Sequence, residues 1–313
     1  MKENLLIVDG NYMMVRAVCA NPNLISSIGE PSGGIYIFLK SLAFLMKESP
    51  KAIVCFDGGH NPRREKIWPE YKANRHKNKD EQIAKALEFS FEKIVPILRM
   101  VGLTAVRIGG EEADDIIYAY AKHFSDQYNV IVASDDSDYL QMVDENVKIC
   151  RPIKGDYITL NNFEEIIGYK PKYHVFYKSL IGDTSDNIPN PCRGVGKVTA
   201  SKIINWFNQN NLEPTLENLV AYSKVDTKSI FQKLVERESL RNLKRNLFLI
   251  DISRVASDEK CKDYLRELTI AKELINPDPK ELMKLFNRWE IKTLPQWIVF
   301  SKQKLEAFNG NCR

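Results

Sequence analysis

The feature that most restricts how this chain can fold is a repeated pairing of short apolar runs with acids. Residues 5–8, 52–56, 103–108 and 130–133 are short, mainly apolar runs of strand length, the third interrupted by Thr104 and Arg107, and longer amphipathic segments separate them. This alternation predicts a parallel α/β sheet. The first run ends at Asp9 and the second at Asp57. The third leads into Glu111, Glu112, Asp114 and Asp115, and the fourth is followed by Asp135, Asp136 and Asp138. Open α/β sheets place their ligands at the carboxyl ends of the strands, so the acids stand where a site belongs.

Each acid alone has an ordinary explanation. Asp9 and Asp57 precede Gly10 and Gly58 and suit turns; Glu112, Asp114 and Asp115 suit the positive end of a helix dipole; Asp136 or Asp138 suits an N-cap. Their joint placement needs more, because carboxylates crowded at one sheet edge repel unless a cation sits among them. Oxygen donors of this kind suit hard divalent ions, Mg²⁺ or Mn²⁺. The six cysteines and four histidines are scattered without paired ligand spacing, so free thiols are expected and metal chemistry must rest on carboxylates.

With 313 residues the chain has room for about two domains. Strand-like runs stop near residue 150, and helical patterns take over in residues 163–167, 198–207, 229–240 and 280–289. An acidic α/β domain over 1–150 and a mostly helical region over 151–313 are therefore expected. The strongest apolar stretch, residues 35–46, contains Lys40 and Ser41 and falls short of the ~20 residues of a membrane span. The N-terminal apolar run is too short for a signal-peptide core, which points to the cytoplasm and to no membrane partner.

The net charge of +4 hides an uneven distribution. Residues 60–79 carry seven basic residues, among them Arg63, Arg64, Lys72 and Arg75, against two acids, with Trp68 and Tyr71 interleaved. A solvated basic face is the plain reading of such a run. The aromatic rings add stacking surfaces beside phosphate partners, as single-strand binding sites require. A helix over residues 71–75 would place Lys72 and Arg75 on one face. Further along, Asp183 and Asp186 are followed by Gly194-Val-Gly-Lys197, and between residues 187 and 212 there is no acid, while Arg193, Lys197 and Lys202 are present. Gly194 and Gly196 fit the turn of a helix-hairpin-helix element, whose backbone N–H groups approach a phosphate; a helix C-cap followed by a turn fits the same glycines. Arg63, Arg64, Tyr71, Arg193, Gly194, Gly196, Lys197 and Lys202 are the expected nucleic-acid contacts.

Taken in order, Ile7-Val-Asp-Gly-Asn11, Phe56-Asp57, Tyr71-Lys-Ala-Asn-Arg75, Glu112-Ala-Asp-Asp-Ile116, Asp136-Ser-Asp138, Gly182-Asp-Thr-Ser-Asp-Asn-Ile-Pro189 and Gly194-Val-Gly-Lys-Val-Thr-Ala200 resemble the motif set of the 5′ nucleases. These are the flap endonucleases and 5′–3′ exonucleases of bacteriophages and of the N-terminal domains of bacterial DNA polymerase I. The resemblance runs over about residues 4–207. It implies a PIN-like α/β fold, a mostly parallel sheet with flanking helices, with a basic helical arch over about residues 58–95. A helix-hairpin-helix (H3TH) element is implied over about residues 180–207. Asp9, Asp57, Glu112, Asp114, Asp115, Asp136, Asp138, Asp183 and Asp186 match the family's metal-site carboxylates, and Lys72 and Arg75 match arch residues that touch the scissile phosphate.

The implied activity is hydrolysis of 5′-flap, branched or 5′-ended DNA with two Mg²⁺ ions, Mn²⁺ substituting, and a K⁺ ion at the hairpin turn. RNA primers or RNA–DNA hybrids are a further substrate class, a replication polymerase is the implied partner, and a monomer in a bacterial or phage-infected cell is the implied setting. Asn190-Pro-Cys-Arg193 departs from the Gly-Val-rich stretch usual in the family, and beyond about residue 245 no motif transfers. A non-catalytic DNA-recognition factor and a small-RNA ribonuclease are the rival readings. An acid at every matched metal position argues against the first, and the long basic segment with the hairpin argues against the second.

Overall fold

The computed structural model describes residues 2–74, 80–255 and 258–291. The first part of the chain runs β1 (Asn4–Asp9), α1 (Gly10–Ala20), α2 (Gly33–Leu45), β2 (Ala52–Phe56), α3 (Pro62–Ile67), α4 (Glu81–Met100), β3 (Thr104–Arg107), α5 (Ala113–Phe124) and β4 (Asn129–Ala133). After a 3₁₀ turn over Ser137–Met142 follow β5 (Val147–Arg151), β6 (Asp156–Ile158), α6 (Leu160–Ile167), α7 (His174–Ile181), α8 (Lys197–Gln209), α9 (Leu216–Val225), α10 (Ser229–Leu234), α11 (Arg237–Ile250), α12 (Asp258–Glu273) and α13 (Pro279–Arg288).

The strands form one sheet in the order β3-β2-β1-β4-β5-β6, parallel throughout except that β6 runs antiparallel to β5. The four apolar runs are the four strands β1 to β4, buried on both faces as strands of a covered parallel sheet must be. Two strands go beyond them. In β5 Lys148 and Arg151 interrupt the apolar run, and β6 has only three residues, so neither carries a strong periodic signal. The chain builds outward from β1 to β2 and β3, then crosses to the other side of β1 for β4. Such a reversal opens a crevice at the carboxyl ends of the two strands that flank it.

Alternate side chains of each strand face opposite layers. Leu6, Val8, Val54 and Phe56 pack with α1, α2, α4 and α13, whereas Leu5, Ile7, Ile53 and Cys55 pack with α5 and then, without a break, with residues of α7, α8, α11 and α12. The expected boundary near residue 150 therefore does not divide the core. The chain's last described helices return to the sheet domain: Leu282, Phe286 and Trp289 are buried on the α4 side.

Three further expectations are corrected. The second half of the arch expected over residues 58–95 is a packed helix: α4 buries Ala86, Ser90, Ile94, Ile97 and Leu98 against the sheet layer. The helix expected over 71–75 is a turn as far as Asn74, with Lys72 at φ +56°; Arg75 lies outside the described residues. The pattern over 229–240 is two helices, α10 and α11, because the chain breaks at Val235–Glu236. Among the described residues no helix is long and apolar enough to cross a membrane, and Cys19, Cys55, Cys150 and Cys192 are free thiols.

Candidate active site

The crevice between β1 and β4 is lined by acids that serve first as local structure. Asp9 ends β1 and caps α1, its Oδ1 accepting the Tyr12 N–H at 2.9 Å, and its Oδ2 accepts from Ser134 Oγ at 3.1 Å and Tyr139 OH at 3.2 Å. Asp57 ends β2 and caps α5 from a distance, accepting the Ala113 N–H at 2.8 Å. The Asn11 amide holds its other oxygen at 2.5 Å. Asp136 caps the 3₁₀ turn after β4 through the Asp138 N–H at 2.9 Å. On α5, Asp114 accepts from Tyr139 OH at 2.7 Å, so one tyrosine hydroxyl lies between the acids of β1 and α5.

Two glycines make this crowding feasible. A Cβ on Gly10 would meet the Phe56 ring at 2.5 Å and the Cys55 carbonyl at 2.7 Å. On Gly58 it would lie 1.6 Å from the Ile108 carbonyl oxygen, where the turns after β2 and β3 touch. Only a residue without a side chain lets the two turns close together.

Burial and mutual repulsion mark the electrostatics of the central acids. Desolvation, aided by Asp57 and Asp136, lifts Asp9 from 3.8 to about 7. Burial pushes Asp114 well above the usual carboxylate range, with Asp136, Asp9 and Glu112 adding to the rise and Lys72 opposing it. Such groups are costly to ionise unless a positive charge joins them.

The surrounding acids already have cations. Glu112 Oε2 accepts from Arg64 at 2.7 Å, Lys72 at 2.7 Å and Tyr71 OH at 3.0 Å, and although burial works to raise its pKa, Arg64 and Lys72 bring it below the ordinary value. Asp115 is held by Arg64 through two bonds of 2.8 and 3.0 Å. Asp138 and Asp183 share Lys178, whose Nζ lies 2.8 Å from one and 2.7 Å from the other. Burial still lifts Asp138 to about 7, while Lys178 holds Asp183 low against its own burial. Asp186 accepts from Tyr71 OH at 3.1 Å, with Lys72 Nζ at 4.0 Å.

Several expected roles change with these partners. Asp115 faces Arg64 and not the crevice acids. Arg64 is 4% exposed and spent on Glu112 and Asp115; Arg63 is engaged with Glu111, which Lys260 and Tyr264 of α12 also hold. Neither arginine is a free DNA contact. Tyr71 is 6% exposed, and Trp68 donates its indole N–H to the Asn187 carbonyl at 2.8 Å beneath the Arg245 guanidinium, so neither ring is an open stacking platform. These contacts, with Lys72 N–H to the Asp186 carbonyl at 2.9 Å and Asn74 to Asn187 at 2.9 Å, strap residues 68–74 onto the 183–187 loop.

Sequence reasoning missed the roles of Lys178 and Tyr139, and it placed Glu111 among the strand-end acids without the Arg63, Lys260 and Tyr264 partners that hold it. A lysine inside the otherwise apolar α7 face, between Phe176 and Leu180, was the available signal for Lys178. Among the described residues no group of three or more acidic, histidine or cysteine side chains is arranged to hold a metal ion. The donor chemistry nevertheless fits a hard cation: every group is a carboxylate, and burial together with neighbouring carboxylates raises the pKa of the innermost, Asp9 and Asp114.

At the hairpin, α7 ends at Gly182 and α8 begins after Gly196, with Gly194 at φ +97°. Arg193, Lys197 and Lys202 are exposed. A Cβ on Gly196 would meet nothing within 4 Å, so the backbone there is open to an incoming group.

A reversed-order α/β sheet with an acid at the carboxyl end of each central strand is the architecture of a resolvase-like nuclease domain. The family model of the 5′-3′ exonuclease N-terminal resolvase-like domain matches residues 4–168. A 5′-3′ exonuclease of Aquifex aeolicus is 31% identical over 93% of this chain and 94% of its own length. The chain belongs to the 5′-3′ exonuclease family. In fold it is similar to bacteriophage T5 5′-exonuclease with bound zinc, at TM-score 0.68 and 21% identity over 86% of this chain and all of that one. It is likewise similar to the T5 D15 flap endonuclease in a complex with DNA and metal ions, at TM-score 0.67 and 22% identity over 87% and 100% of the two chains.

Proposed function

We propose that this chain is a divalent-metal-dependent 5′ nuclease that hydrolyses phosphodiester bonds in DNA bearing 5′ ends, flaps or branches. The observation that carries the reading is the crevice itself, where Asp9 and Asp57 are satisfied by neutral donors and Asp9 and Asp114 are pushed up by burial. Its family membership supports the reaction class, and the DNA and metal ions bound by the T5 flap endonuclease support the substrate and the ions.

Asp9, Asp57, Asp114 and Asp136, with Glu112 beside them, would hold one hard ion, and Asp138, Asp183 and Asp186 a second. When bound, Mg²⁺ or Mn²⁺ supplies an activated water and positive charge at the phosphoryl oxygens. Lys72 lies between the two groups, 2.7 Å from Glu112 and 4.0 Å from Asp186. A phosphodiester entering the crevice would draw its ammonium away from Glu112 and onto charge that grows as the bond breaks. Arg75, three residues on, is proposed for the same phosphate. The exposed backbone at Gly194 and Gly196, with Arg193, Lys197 and Lys202, would grip the duplex, a K⁺ ion completing the turn. RNA–DNA hybrid substrates, a replication polymerase partner, a monomeric state and cytoplasmic action belong to the same reading.

The test is a labelled 5′-flap duplex compared with single-stranded DNA and structured RNA, each with Mg²⁺ and with EDTA. Cleavage near the flap junction in Mg²⁺ alone is expected. Preference for the RNA, or cleavage that survives EDTA, would overturn the reading.

A further inference from the structure

The helix α11 carries a row of cations that the acidic site does not use. Arg237, Arg241 and Lys244 are exposed and fall at i, i+4 and i+7. At about 100° per residue they lie within roughly 60° of the helix circumference. Glu236 and Glu238 stand roughly a quarter turn to either side, and the opposite face, Leu243, Asn246, Leu249 and Ile250, is buried. The row therefore meets solvent as a single-signed stripe on a rigid element.

Its position is the second observation. Asn242 and Asn246 of α11 donate to the carbonyls of Pro191 at 3.0 Å and Pro189 at 2.7 Å, which fixes the chain entering the glycine turn. Arg245 of the same helix lies 4.2 Å over the Trp68 ring, at the base of the basic segment. Burial and the neighbouring Arg241 lower the pKa of Arg245, as expected where like charges gather. The helix α11 thus packs against both segments assigned to DNA above and presents the stripe to solvent beside them.

We infer that Arg237, Arg241 and Lys244 form a phosphate track for the backbone of a DNA duplex, continuous with the glycine turn; the inference rests on the nuclease reading above. The row is about 10 Å long at 1.5 Å per residue. One DNA strand presents a phosphate about every 3.4 Å along the axis, so about three phosphates fall within its reach.

The test is anisotropy binding of the full chain to a fluorescent 5′-flap duplex in Ca²⁺ at a series of salt concentrations, with wild-type cleavage in Mg²⁺ measured in parallel. R237Q/R241Q/K244Q should lose at least tenfold in affinity at low salt, and the slope of log affinity against log salt should become shallower by about 2 to 3. R241Q alone should change the slope by about 1. The charge-matched control K40Q/K47Q/K280Q, with its substitutions on α2, just after it and on α13, should stay near the wild type. If the triple variant and the control bind alike while the wild type binds and cleaves, the track is overturned and the nuclease reading stands. If the wild type neither binds nor cleaves the flap, both are overturned.

Discussion

The crevice acids and the acids around them are the same kind of side chain in opposite electrostatic conditions. Asp9 and Asp57 are held by N–H and O–H donors that carry no charge, whereas Asp138 and Asp183 share one lysine, and Glu112 and Asp115 share one arginine. The first group stores repulsion that an added cation would relieve. The second already has cations, although burial still raises Asp138 and Asp115, and it gives up an existing partner before taking a new one. Metal affinity and metal-free stability should accordingly separate along this line.

The largest expected effect is on chemistry at the inner group. Asp114→Asn or Asp136→Asn should abolish cleavage of a 5′-flap substrate in Mg²⁺ while leaving the circular dichroism spectrum intact. Substantial turnover by either folded variant would remove that carboxylate from the mechanism.

Lys178→Met should act on stability instead. Removing a buried cation from two carboxylates leaves both uncompensated, at a cost of about 3–5 kcal/mol. Urea unfolding without metal should show that loss, and divalent ions should restore part of it. An unchanged midpoint would mean that the lysine does not hold the outer pair together.

Proton linkage gives a third contrast. The folded pKa of Asp9, about 7, exceeds its ordinary 3.8, so its contribution to stability is fully present below about pH 4 and is lost as pH rises through 7. Asp138 behaves in the same way, while His174, pushed from 6.5 to about 3 by burial, acts in the opposite direction as pH falls below 6.5. Subtracting the metal-free profile of Asp9→Asn from that of the parent isolates Asp9. The parent should lose on the order of 3–4 kcal/mol relative to the variant between pH 4 and 8. Mg²⁺ should flatten the difference, and a flat difference without Mg²⁺ would contradict the burial argument.

Lys72 sits on the dividing line, and its removal should show the smallest effect. Lys72→Ala should slow single-turnover cleavage by about 10²-fold and change Ca²⁺-supported DNA binding only by about one unit of salt slope. Equal losses in rate and affinity would reduce Lys72 to an electrostatic contact.

Much of the frame was legible because its signals are local. Four apolar runs became four parallel strands, and the acids that follow them lie at the strand ends, as the geometry of such sheets requires. Glycines beside Asp9 and Asp57 stand where no side chain fits. The roles assigned to the basic segment fared less well. Arg64 and Tyr71 have the composition of a nucleic-acid surface, yet both are buried against Glu112, Asp115 and Asp186. β5 was missed because an edge-side strand tolerates lysine and arginine among its apolar residues.

The chain's sequence by itself determined where the backbone extends, where it coils and where carboxylates crowd, because those depend on neighbours a few residues apart. Only the tertiary structure decided which charge meets which. Arg64 finds Asp115 across 51 residues, Tyr71 finds Asp186 across 115, and the stripe on α11 gains meaning only from the turn and the tryptophan packed against the same helix. Charge pairing is a through-space interaction that falls off within a few ångströms in water, so it follows the fold and not the order of residues.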